Sequence, residues 1–173
     1  MSAQTYKKSS LPTAQHITKV RGFEIAQGWE NQQIELPARS TSGSAGYDIA
    51  AAADTIIPKF TLGTPPTLVP TGLKVYCQPD ECLLLYNRSS NPGRSLILAN
   101  GVGVVDADFY NNSANDGHFQ ILLFNLGSKD IMIKKGERVA QAIFQKFLLV
   151  DRDQTKNTRQ GGIGSTGIGG NNE

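Results

Sequence analysis

The chain has 173 residues, 39% hydrophobic and 18% charged, with a formal net charge of +2. That length suits one domain with tails and excludes two independent enzymatic units. The weak positive charge is scattered along the chain, which argues against a polynucleotide partner, and no apolar run is long enough to span a membrane.

In chain order, residues 1–20 are polar and unpatterned and lack the apolar core of a secretory signal. They read as an N-terminal extension, and a cytoplasmic location is expected. Residues 21–150 form the expected folded domain. From about Ile49 onward, short apolar stretches alternate with Gly, Pro, Asn and Asp, and no window carries a helical stripe. The pattern is all-β, with strands expected at 67–76, 81–86, 95–98, 119–124, 131–133 and 139–150. Turns are expected at Gln78-Pro79-Asp80, Leu126-Gly127-Ser128 and Lys135-Gly136. Many short strands in one domain fit a sandwich, a jelly roll or a barrel, and strand patterning alone does not choose among them. Cys77 and Cys82 have no partner at metal-ligand spacing and read as buried thiols in neighbouring strands. Residues 151–173 turn polar, and six of the thirteen residues from 161 to 173 are glycine, so this tail is either idle or ordered by a ligand.

Three stretches hold residues that carry chemistry. In the first, an apolar strand from Asn100 ends in Asp106, Ala107, Asp108, Phe109 and Tyr110. Asp106 is either a rigidly held general base or, with Asp108, the cap of a turn, and the two rings are either a platform for a sugar or base, or core. In the second, Arg88, Ser89 and Ser90 precede Asn91-Pro92-Gly93. An arginine fork, two hydroxyls and loop amides make a phosphate cradle, although a polar loop of this composition is also common on surfaces. The third, Arg159-Gln160-Gly161-Gly162-Ile163-Gly164-Ser165-Thr166-Gly167, allows close backbone approach to an anion. It lacks the lysine of a Walker loop and the strand and helix of a dinucleotide fingerprint. His118 is either a substrate contact or, as is commoner for a lone histidine beside a glycine turn, a solvated or packed residue, and Trp29 reads as packing.

Taken in order, these stretches resemble the five motifs of the dUTPase family, with Ala45-Gly46-Tyr47-Asp48 as the first and Gly136-Glu137-Arg138-Val139-Ala140-Gln141 as the fourth. The match spans residues 45–167. The resemblance implies an all-β, distorted jelly-roll subunit of the β-clip type, assembled as a homotrimer with active sites at subunit boundaries. It implies hydrolysis of dUTP to dUMP and pyrophosphate with Mg2+, which keeps uracil out of DNA and supplies dUMP for dTMP synthesis. Asp106 would activate water, Asp48 would hold magnesium through water, and Gln141 would belong to the catalytic set. Phosphate contacts would come from Arg88, Ser89 and Ser90 with Gln141 of one subunit, and from Arg159, Ser165 and Thr166 of another subunit's lid, residues 151–173. Uracil would be read by a hairpin running from Asn100 through Asp106 and returning at 118–122, using Asn100 and main-chain groups of Val104, Val105 and Gln120.

The sequence departs from the family pattern in places. Phe109 stands where the family has a tyrosine under the deoxyribose, and Ile163 replaces the ring that covers uracil. Arg159 lies one residue closer to the glycine pair, Asn111 replaces a common glycine, and residues 113–117 are extra within the hairpin. Two other readings share the fold: a regulatory trimer that binds a protein partner, and a dCTP deaminase.

Overall fold

A computed structural model describes residues 18–156 and 159. Its strands are β1 (Gly22–Ile25), β2 (Tyr47–Ala50), β3 (Thr55–Ile57), β4 (Thr67–Pro70), β5 (Leu73–Tyr76), β6 (Glu81–Asn87), β7 (Leu96–Leu98), β8 (Gly103–Asp106), β9 (Gln120–Asn125), β10 (Ile131–Ile133) and β11 (Arg138–Lys146). The described helical structure is confined to two single 3-10 turns, Pro92–Arg94 and Ala107–Phe109, so the all-β expectation holds. No helix among the described residues is long and apolar enough to cross a membrane.

Every strand pair is antiparallel. A four-stranded sheet runs β2-β11-β6-β8, a three-stranded sheet runs β4-β9-β7, and the pairs β1-β5 and β3-β10 complete the fold. Alternation along the strands supplies the core: Ile121, Leu123 and Asn125 of β9 are buried while their neighbours are not. One hydrophobic cluster takes residues from β2 through β11, and Phe23 and Ile25 of β1 pack against it.

Several sequence expectations shift in detail. The run 67–76 is two strands, because Gly72 at φ 67° turns the chain between sheets. There the Thr71 hydroxyl donates to the Phe119 carbonyl, and β4 and β5 part to pair with β9 and β1. The last strand ends at Lys146 rather than 150, where the ladder with β6 runs out and Leu148 is 97% exposed. Strands β1, β2 and β3 were not among the expected strands. Cys82 is buried and Cys77 half-buried, and both are free thiols. His118 packs as expected: it lies against Trp29 with ring centroids 5.1 Å apart, and its Nε2 accepts the amides of Thr71 and Gly72.

Candidate active site

The expected hairpin does not form a ladder. Strand β7 pairs with β9, and the Ala99 amide donating to Leu122 extends that pairing by one step. Gly101, at φ 67°, then turns the chain out of this sheet, so that β8 pairs with β6 instead. The two arms therefore splay and enclose a cavity of about 230 Å³. Asn100, Val104, Val105, Asp106, Phe109, Gln120 and Arg159 line it, so the structure gathers these expected residues in one place.

Strand β8 is the edge of its sheet. An edge strand leaves a row of main-chain donors and acceptors without ladder partners, and Gly103 through Asp106 line the cavity. Leu85 and Phe119 build apolar walls that the sequence reading missed, since buried apolar residues of strands carry no chemical signature. Gly103 matters for space: a Cβ there would stand 3.1 Å from the Leu85 Cβ and 3.2 Å from Asn100 Nδ2.

Asp106 closes β8, with its side chain 52% exposed. Arg159 Nη2 donates to Asp106 Oδ2 at 2.5 Å and Nε donates to Asp108 Oδ1 at 2.9 Å. The guanidinium also lies 5.6 Å from the Phe109 ring centroid, a cation–π approach. Phe109 is buried, at 6% exposure, and forms wall as well as core. Arg159 thus meets the carboxylates of its own chain. Ile163, Ser165 and Thr166 lie outside the described residues.

A second group surrounds Asp48 on β2. Its Oδ1 accepts from Arg88 Nε at 3.1 Å, and its Oδ2 accepts from Arg138 Nη1 at 2.9 Å and Ser40 Oγ at 3.0 Å. Burial works against the charged form, but the bonds from Ser40 and Arg138 and the positive charge of Arg88 hold the carboxyl below the ordinary carboxylate range. Arg88 Nη1 also donates to the Arg138 carbonyl. A register shift between Arg138 and Ala140, where β11 pairs with β2, marks a bulge beside Arg138. Arg138 belonged to a quoted motif but received no role from the sequence.

Gln141 faces Asp48 across one ladder and Tyr86 across the other, and its Nε2 donates to the Asn87 carbonyl. Gly46 leaves room for it, since a Cβ there would stand 2.7 Å from Gln141 Oε1. Ser89 and Ser90 are exposed on the loop after β6. That loop is anchored by buried Asn91, whose amide donates to the Asn87 side chain and the Val139 carbonyl.

Within one chain the two groups stay apart. Asp48 and Asp106 stand on strands at opposite edges of the four-stranded sheet. Tyr86, level with Asp48, and Cys82, level with Asp106, are also separated along β6. Inter-strand spacings of ~4.8 Å and rises of ~3.4 Å per residue put the carboxylates on the order of 20 Å apart.

Known proteins resemble this chain in sequence and fold. The dUTPase family model matches residues 32–170. The deoxyuridine 5'-triphosphate nucleotidohydrolase of Lactococcus lactis subsp. lactis is 49% identical over 152 residues, covering 86% of this chain and 99% of that protein. The Citrobacter koseri protein of the same name is 33% identical over 79% of this chain and 89% of its own length. The crystal structure of the dUTPase from Streptococcus mutans superposes with a TM-score of 0.70 at 42% identity, covering 75% of this chain and 98% of that one. The Staphylococcus bacteriophage 80alpha dUTPase, at 18% identity and a TM-score of 0.62 over 81% of this chain and 98% of its own, shares the fold. With its distorted jelly-roll strands and its motif residues set around an edge-strand cavity and a part-buried aspartate, the chain belongs to the dUTPase family.

Proposed function

We propose that this chain hydrolyses dUTP to dUMP and pyrophosphate, with the base in the cavity between β8 and β9 and Asp106 taking the proton from the attacking water. The edge-strand cavity carries this reading. Main-chain groups of Val104 and Val105, with Asn100 and Gln120, suit a base that both donates and accepts along one edge. Cytosine would leave such groups unpaired, and the 5-methyl of thymine would press on closely packed walls. Phe109 would lie under the deoxyribose.

The water oxygen bonds to the α-phosphorus while the bridge to the β-phosphate breaks, so that pyrophosphate leaves and the water proton passes to Asp106. Arg159 engages Oδ2 of Asp106, and no bond to Oδ1 is made among the described residues, which suits Oδ1 to receive that proton.

The separation of the two residue groups supports a homotrimer. Arg88, Ser89, Ser90, Gln141 and Asp48 of one subunit would complete the site of another, and Arg159, Ser165 and Thr166 of the 151–173 lid would close over the phosphates. Exposed Leu148, Leu149 and Val150 supply apolar surface for such an assembly. Closure excludes water and strengthens each charge contact.

Among the described residues no cluster of three or more histidine, cysteine or acidic side chains forms a metal cage. Asp48 suits an outer contact instead. A carboxylate offers about four acceptor positions, and Arg88, Arg138 and Ser40 account for three contacts. Asp48 would hold magnesium through water, and the ion would supply charge neutralisation for the leaving group. We place this activity in the cytoplasm, where it would keep uracil out of DNA and provide dUMP.

Purified protein with magnesium, offered dUTP, dCTP, dTTP and UTP, tests the reading. Pyrophosphate from dUTP alone is expected. Ammonia from dCTP would point to a deaminase, and silence with all four nucleotides would favour a binding trimer.

A further inference from the structure

The segment 111–118 joins two walls of the cavity, from Phe109 on one side to Phe119 and Gln120 on the other. A surface loop of this length would ordinarily let its ends drift. Here it is fastened to β5 by one side chain. Lys74 Nζ donates to Asn111 Oδ1 at 2.7 Å and to the two carboxylate oxygens of Asp116 at 3.0 and 2.9 Å, so that it grips both ends of the loop. It also lies 5.1 Å from the Tyr110 ring centroid.

The pair is sheltered, with Lys74 14% and Asp116 20% exposed at the side chain, and Asp116 Oδ2 accepts a further bond from the Gln27 amide at 2.8 Å. Strand β5 pairs with β1, so Lys74 stands on a firm base. The loop also presses on the cavity wall directly. Gly117, at φ 80°, packs so closely that a Cβ there would stand 2.7 Å from the Phe109 carbonyl oxygen. Lys74 itself does not line the cavity.

We infer that Lys74 is a positioning residue for base recognition: by clamping residues 111–118 it sets the spacing between Phe109 and the Phe119–Gln120 wall, and with it the fit of the uracil ring. This rests on the reading of that cavity as the base site. Asp106 is carried by β8, outside the clamped loop, so the clamp governs binding and selection more than the chemical step.

The test compares Lys74→Met, Asp116→Asn and Lys74→Arg with wild type in steady-state hydrolysis of dUTP and dTTP, with Tm measured on each and Asn100→Ala run alongside. Loss of the clamp is expected to raise KM for dUTP about tenfold, to leave kcat within about threefold, and to erode the preference for dUTP over dTTP. Lys74→Arg, which keeps the charge and can reach Asp116, should recover most of the lost KM. Asp116→Asn carries the comparison should Lys74→Met not fold. A lower Tm with KM and selectivity unchanged in the clamp variants would reduce Lys74 to a structural pin and overturn the inference, as would failure of both to fold. Altered selection in Asn100→Ala with none in the clamp variants refutes the clamp alone. Unaltered selection in Asn100→Ala refutes the cavity reading and the clamp with it.

Discussion

Asp106 and Asp108 form a matched pair for isolating the base. Both are exposed carboxylates, at 52% and 57%, and both accept from the single Arg159 guanidinium. Replacing either with asparagine removes one charge and one ion pair while keeping size. The carboxylates are solvent-screened, and Arg159, at 12% exposure, keeps the other one as its partner, so neither change should lower Tm much. Catalysis should separate them. A general base contributes about 10²–10⁴-fold, which is on the order of 3–5 kcal/mol in the barrier. Asp106→Asn is therefore expected to lower kcat about a thousandfold, whereas Asp108→Asn should cost less than about tenfold. Pyrophosphate release at saturating dUTP, with Tm measured on the same samples, reads both effects. Equal losses in the two variants, or an Asp106→Asn enzyme within about threefold of wild type, would refute the assignment of the base.

Other outcomes follow from particular contacts. Burial holds the His118 imidazole below its ordinary value of 6.5, so the folded state binds its proton less readily than the unfolded chain does. Its contribution to stability should be complete above that value and fall as pH drops below it, by up to about 1.4 kcal/mol per pH unit. Tm measured between pH 8 and 5 would check this, with His118→Gln expected to flatten the fall. Gly46→Ala would push its new methyl toward Gln141 Oε1, the far end of a flexible side chain. About tenfold lower kcat with little change in Tm is expected, and an unchanged kcat would remove Gln141 from the catalytic set. Leu148→Asp with Leu149→Asp should weaken assembly, since each buried leucine contributes about 1.5–3 kcal/mol. Light scattering would show smaller particles and dUTP hydrolysis would fall with them, while an intact, active trimer would place the interface elsewhere.

Much of the candidate site was legible because its signals are local. The Arg88-Ser89-Ser90 loop, the Asp106–Phe109 strand end and the Gly136–Gln141 motif each carry their residue types within a few positions. Strands such as β6 and β9 declare themselves by composition and alternation. Other features gave no such signal. Leu85 and Phe119 look like any core residues, and the aim of Arg138 at Asp48 depends on a bulge that only the pairing with β2 reveals.

By itself the sequence determined the all-β class, the order of the motifs and the residue types offered to a nucleotide. The tertiary structure decided which strands pair, and so where those residues stand. It broke the 67–76 run at Gly72 and opened the expected hairpin into a cavity. It also brought Lys74 to Asp116 and set Asp48 and Asp106 on opposite edges of one sheet. The reason is physical: propensity and periodicity act over a few residues, whereas strand register and side-chain meeting points are fixed by burial and hydrogen bonding between segments distant in the chain.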